Sequence, residues 1–148
     1  MSFMLACRAS ATFAAIGPVV GTMMDSLYTD CNPEFPRPVI AFNGTDDNIT
    51  WYDGDINNTQ GWGPYHSAPD VIALWTQIND TPNLQSTTLP NLDPNDGSIV
   101  ELDLYNSKQH SMLVSFHRVV GGGHDWPGEY GNMDINATQE IWEFFNAV

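Results

Sequence analysis

Basic side chains are nearly missing from this sequence. Its 148 residues hold four Lys and Arg against eighteen Asp and Glu, a formal net charge of −14. Nucleic-acid binding draws on basic patches that neutralise phosphates, so this balance argues against a nucleic-acid partner. It predicts a solvated, self-repelling surface suited to an acidic milieu, high salt or a secreted setting. Cysteine is equally scarce. Cys7 and Cys31 are the only two; neither belongs to a CxxC pair, and the histidines lack zinc-finger spacing. They are open to two readings, one disulfide or two buried thiols. No apolar run reaches transmembrane length, so no membrane partner is expected. The apolar first residues carry no basic leader and no clear cleavage boundary. Repeats and linkers are absent, and nothing in the sequence calls for a cofactor.

What is present describes one folded domain. Apolar residues make up 42% of the chain, with five Trp and seven Phe, which argues against disorder. A chain of this length buries a proper core. It starts oddly: Met1–Arg8 reads as the middle of an apolar helix with no capping residue before it. Domains rarely begin inside a buried helix, so residues 1–148 are expected to be one partial domain that has lost its beginning.

The apolar run Phe13–Val20 reads as a buried parallel strand, with Pro18 near its end where no ladder donor is needed. Residues 23–38 read as irregular, and Pro38–Phe42 as a second buried strand running into the polar turn Asn43-Gly44-Thr45-Asp46-Asp47. A long loop from Ile49 to His66 carries Trp51, Tyr52, Trp62 and Tyr65. Such aromatics either line a cleft or pin the loop to the body. Ser67-Ala68-Pro69-Asp70 is a helix start, and Val71, Leu74, Trp75 and Ile78 follow at helical spacing, predicting a helix over Asp70–Asn79. Ile99–Tyr105 alternates as a half-solvated strand, expected to pair antiparallel with Met112–Val120. Asn136 caps a last helix through Ala147, with Ile141, Phe144 and Phe145 on its buried face. The fold class is α/β.

The stretch Val119-Val120-Gly121-Gly122-Gly123-His124-Asp125-Trp126-Pro127-Gly128 places His124 on a loop at the carboxyl end of a strand, where open α/β sheets collect ligands and catalytic groups. A histidine there suits general-base work near neutral pH; the alternative is an incidental loop histidine. Asp46 and Asp47 stand at another strand end. In a parallel sheet the two ends open on the same side, and an aspartate on one imidazole nitrogen is the carboxylate–histidine half of a triad. The order Asp then His agrees with α/β-hydrolases. Against this, Asp46 and Asp47 are also good turn formers. His110 and His117 read as ordinary loop and strand residues. A metal site of His117, His124 and Asp125 is disfavoured, since strand alternation does not bring them together.

Phe13-Ala-Ala-Ile-Gly-Pro-Val19, Asn43-Gly-Thr-Asp-Asp47, Trp51-Tyr-Asp-Gly54 and Gly121-Gly-Gly-His-Asp-Trp-Pro-Gly128 together resemble extracellular polyhydroxybutyrate depolymerase and feruloyl esterase-type α/β-hydrolases, over nearly the whole chain. The resemblance implies that Asp47 is the triad acid and His124 the triad base, with Asp46 in the variable position between motif residues. Trp51 and Trp126 are the candidate substrate-binding residues. It also implies a gap. The family nucleophile sits in a Gly-x-Ser-x-Gly-Gly elbow before a Met-rich helix like Met1–Cys7, and no such elbow surrounds Ser2, Ser10 or Ser26. The chain is therefore expected to be the C-terminal portion of an α/β-hydrolase fold, lacking the N-terminal strands and the elbow. Two cysteines common in relatives are replaced around Asn79-Asp80-Thr81 and Asn106-Ser107-Lys108, leaving Cys7 and Cys31 as a separate candidate disulfide. The implied function of the complete protein is a secreted or periplasmic carboxylic-ester hydrolase acting on polyhydroxyalkanoate or on feruloyl or acetyl polysaccharide esters. The alternative is an inactive fragment or a binding module that keeps the fold. This chain alone is expected to lack turnover. Self-association is expected through the sheet edge that the missing strand would leave exposed.

Overall fold

The computed structural model describes every residue except His110 and Met112. Four strands form one mixed sheet, β1 (Val39–Gly44), β2 (Asn83–Thr88), β3 (Ile99–Asn106) and β4 (Leu113–Val120), in the spatial order β1-β4-β3-β2. β1 and β4 are parallel, with Gly44 opposite Val119; β4 pairs antiparallel with β3, and β3 with β2. The helices are α1 (Ser2–Arg8), α2 (Asp25–Thr29), α3 (Ala68–Ile78) and α4 (Ala137–Ala147).

Side-chain alternation on β1 and β4 splits the core into two layers. On one face Val39, Ala41, Val114 and Phe116 meet Phe3, Ala6 and Cys7 of α1 and Val71, Ile72 and Trp75 of α3. On the other, Ile40 and Phe42 meet Ala137 and Phe144 of α4. This is helix–sheet–helix packing, in which both faces of the parallel pair are covered. α3 starts where Ser67 accepts the Asp70 N–H (3.1 Å), two residues earlier than the spacing predicts. α4 starts where Asn136 accepts the Gln139 N–H (3.0 Å). Cys7 and Cys31 form a disulfide that ties α1 to the segment after α2. No helix among the described residues is long and apolar enough to cross a membrane.

Phe13–Val20 is not a strand, which corrects the sequence expectation. Residues 16–20 do run parallel to β1, through bridges at Ile16–Val39 and Val19–Phe42. Ile16 donates to Pro38 and Val20 to Phe42, while Ile16 and Pro18 accept from Ile40 and Phe42. Pro18 sits inside the segment, not at its end, and its missing N–H leaves a hole in the ladder. Val20, at φ 47°, then turns the chain out of extended geometry. Two elements escaped the sequence reading. β2 is polar and mostly exposed, so no apolar alternation announces it. The short α2 has no side-chain cap and no buried residue. The expected strand start at Met112 and the reading of His110 lie outside the described residues.

Candidate functional site

Because β1 and β4 are parallel neighbours, the loops leaving their carboxyl ends emerge side by side. Hydrogen bonds stitch them together. Thr45 N–H donates to Val119 O, Asp46 N–H to Gly122 O, and Gly121 N–H to Thr45 Oγ1, each at 2.9 Å. Gly44 makes this approach feasible: a Cβ there would collide with the carbonyl oxygens of Gly122 and Gly123. Gly121, at φ 80°, needs glycine on its own account. The residues flanking His124 are clamped to each other, with Gly123 N–H donating to Asp125 Oδ2 at 3.1 Å.

Asp47 is buried, and both of its carboxylate oxygens are engaged. Oδ1 accepts the N–H groups of Ile49 and Thr50, each at 2.8 Å. Oδ2 lies 2.9 Å from Nδ1 of His124. Asp47 is 1% exposed at its side chain and His124 37%, so the carboxylate is fixed inside while the imidazole reaches solvent. An ionised carboxylate only accepts, so Nδ1 carries the proton. That leaves Nε2 as the basic nitrogen, and it has no hydrogen-bond partner among the described residues. Asp46 does not make this contact. It is exposed, accepts from Thr45 Oγ1 at 3.0 Å, and serves the loop through its backbone.

A cleft of about 310 Å³ opens beside Asp47, lined by residues 45–48 and 51–53, Trp51 among them; His124 is not part of its lining. Trp51 also borders a second, polar cleft that contains Asp53, Asp55 and His66. Trp126 lies elsewhere. Its Nε1 donates to Thr138 Oγ1 at 3.0 Å, and its ring packs toward the α4 core and lines a groove between α1 and α4. The two candidate tryptophans therefore line different clefts. The loop aromatics divide between the two roles open to them. Tyr65 is buried and its hydroxyl accepts the Trp51 N–H at 3.1 Å, and Tyr52 stacks on Phe116. These two pin the loop, while Trp51 and Trp62 stay exposed. Burial pushes the Tyr52 hydroxyl's pKa up, with nearby Arg118 partly opposing.

His117 stands apart from the site. It is buried, stacked on Phe42, and burial pulls its pKa down to about 4. No group of three His, Cys, Asp or Glu side chains among the described residues is arranged to hold a metal ion. No described Ser, Thr or Cys side chain hydrogen-bonds His124, both cysteines are in the disulfide, and Ser10 is buried, accepting from the Phe35 N–H. Sequence reasoning missed a second imidazole–carboxylate contact, His66 Nε2 to Asp25 Oδ1 at 2.9 Å, with Tyr28 stacked on the ring. It joins α2 to the start of α3, and a separation of 41 residues offers no sequence signal for it.

The fold and site define a mixed α/β protein with a buried aspartate and a solvent-reaching histidine joined at the carboxyl end of a parallel strand pair. No protein-family model matches this chain, and no curated protein matches it.

Proposed function

We infer that Asp47 and His124 are the acid–base half of a serine-type carboxylic-ester hydrolase, acting on polyhydroxyalkanoate or on feruloyl or acetyl esters of polysaccharide. The observation that carries the reading is the 2.9 Å contact between the buried Asp47 carboxylate and His124 Nδ1, with Nε2 left free. In this chemistry a hydroxyl supplied from outside these residues attacks the ester carbonyl and passes its proton to Nε2. Asp47 holds the Nδ1–H and stabilises the imidazolium; His124 then protonates the leaving alkoxide, and water repeats the sequence on the acyl intermediate. Oxyanion donors are also needed. Trp51 supplies an apolar wall beside Asp47 for the acyl or aromatic part of the substrate. The sequence resemblance to depolymerases and feruloyl esterases supports the same class. The Cys7–Cys31 disulfide supports a secreted or periplasmic setting.

The test is a chain extended upstream in its reading frame, assayed on p-nitrophenyl butyrate. Turnover is expected from the extended chain and none from the 148 residues alone. His124→Ala should remove on the order of 10⁶ in kcat. An extended chain that folds, carries an elbow serine and shows no hydrolysis would sink the reading. One observation favours a second reading, a non-catalytic module: no described hydroxyl or thiol meets His124. That reading expects no turnover from either chain.

A further inference from the structure

We propose that Asn57 is an acceptor for N-linked oligosaccharide, attached as the chain enters a eukaryotic secretory pathway. This does not rest on the ester-hydrolase reading. Five Asn-x-Thr triplets without a central proline occur, at Asn43, Asn48, Asn57, Asn79 and Asn136. Such a triplet carries a glycan only where the folded protein leaves room for a bulky, solvated group, which means a surface loop.

The fold sorts the five. Asn43 is buried in β1, and its Nδ2 donates to Gly21 O at 3.2 Å. Asn79 and Thr81 are both buried, and Asn79 Nδ2 donates to Arg37 O at 2.9 Å. Neither close-packed site has space for a sugar. Asn136 is exposed, and its presence is explained by the cap it provides to α4. Asn48 is exposed, but it lines the cleft beside Asp47, which a glycan would fill, and Thr50 is half-buried. Asn57 differs on each count. Its triplet is the one whose three residues, Asn57, Asn58 and Thr59, are all exposed. It stands on a turn closed by Asn58 N–H donating to Asp55 O at 3.0 Å, and its own side chain has no hydrogen-bond partner among the described residues. The turn is held from beneath. The buried Asp55 carboxylate accepts the N–H groups of Thr59 and Gln60, each at 2.8 Å, and the Thr59 hydroxyl at 2.9 Å. The loop therefore keeps its shape without help from the Asn57 amide, and modifying that amide removes no contact. Ile56 and Trp62 on the same loop are exposed, apolar surface that a glycan would shield. The Cys7–Cys31 disulfide fits the oxidising compartment in which transfer takes place.

The co-reactant is an oligosaccharide activated on a lipid diphosphate. Asn57 Nδ2 bonds to C1 of the first sugar, the bond from C1 to the diphosphate oxygen breaks, the lipid diphosphate leaves with the electron pair, and the amide gives up one proton. The experiment expresses the chain behind a cleavable signal peptide in a yeast or mammalian secretory host. Enzymatic removal of the glycans in heavy-oxygen water then marks each formerly glycosylated Asn as a labelled Asp, read by peptide mass spectrometry. Asn57 is expected to carry the mark in most molecules, while Asn43 and Asn79 lack it in the secreted, disulfide-bonded chain. Asn57→Gln should lose the mass of one glycan. Transfer precedes folding and export, so an unmarked Asn57 in both the secreted and the retained chain overturns the proposal whether or not the chain folds. A marked Asn43 or Asn79 in the secreted, disulfide-bonded chain overturns it as well, because burial would then not select the acceptor.

Discussion

His117 should tie the stability of this fold to pH, and the size of the effect follows from its surroundings. The ring lies in β4 on the α4 side of the sheet, 2% exposed, stacked on Phe42 at a centroid distance of 4.4 Å, with Nδ1 unpartnered. Burial pulls its pKa from 6.5 down to about 4; a backbone hydrogen bond with Ala41 works in the other direction and is outweighed. The unfolded chain therefore takes up a proton on this ring near pH 6.5, and the folded chain only near pH 4. The contribution of neutral His117 is fully present above pH 6.5 and is lost as pH falls from 6.5 toward 4. That gap of about 2.5 pH units, at about 1.4 kcal/mol each, amounts to about 3 kcal/mol, a large share of a typical domain's stability. Urea unfolding followed by tryptophan fluorescence at pH 7.5 and 4.5 measures it, with His117→Leu as reference. The many carboxylates titrate in both proteins and cancel in the comparison. Wild type should lose about 2–3 kcal/mol more than the Leu variant between the two pH values. Equal losses would refute the reasoning, because they would mean that the folded protein accommodates a charged His117.

The remaining predictions concern the site and its supports. Gly44→Ala should cost about 1–3 kcal/mol in urea unfolding, because its methyl meets the Gly122 and Gly123 carbonyls, and the His124 ring resonances should shift with it. The double variant Cys7→Ser/Cys31→Ser should lower stability by about 3 kcal/mol, given that the bond spans a separation of 24 residues; an unchanged midpoint would count against the loop-closure argument. In an active, upstream-extended chain, Asp47→Asn should lower kcat by about 10⁴ while Asp46→Asn changes it little, since only Asp47 reaches Nδ1. Equal effects would show that Asp46 shares the role.

The parts of the fold that sequence made legible are those where burial imposes a period. β1, β4, α3 and α4 each bury a face or a whole run, and each was located to within a residue or two; β3 was located equally well from its alternation, although only Val100 and Asp103 of it are buried. β2 was not, because it rests on backbone pairing with β3 and leaves its side chains in water. Phe13–Val20 misled for the opposite reason. Residues 15–20 are half-buried or buried beside β1, as a strand's would be, while Phe13 and Ala14 stay exposed, and pairing needs a donor that Pro18 does not have. Hydropathy reports where a segment sits and not whether its hydrogen bonds close.

The site shows the same division. Asp47 and His124 were legible because each follows an apolar strand-like run and carries chemistry of its own. What holds them 2.9 Å apart was not, since it lies mostly in glycines and backbone groups. Gly44 and Gly122 matter by leaving room, Thr45 and Asp46 by backbone N–H groups that any residue has, and Thr45 also by the hydroxyl that accepts the Gly121 N–H. The choice of Asp47 over Asp46 also follows from these stitches. Once Asp46 N–H is fixed to Gly122 O, Asp46 faces solvent, and the next residue turns inward to accept from Ile49 and Thr50. Two aspartates of equal chemistry thus receive different roles from the closeness of two loops. A change that widens the gap between those loops, such as Gly44→Ala, should impair the pair as surely as replacing one of its members, without touching a titratable group.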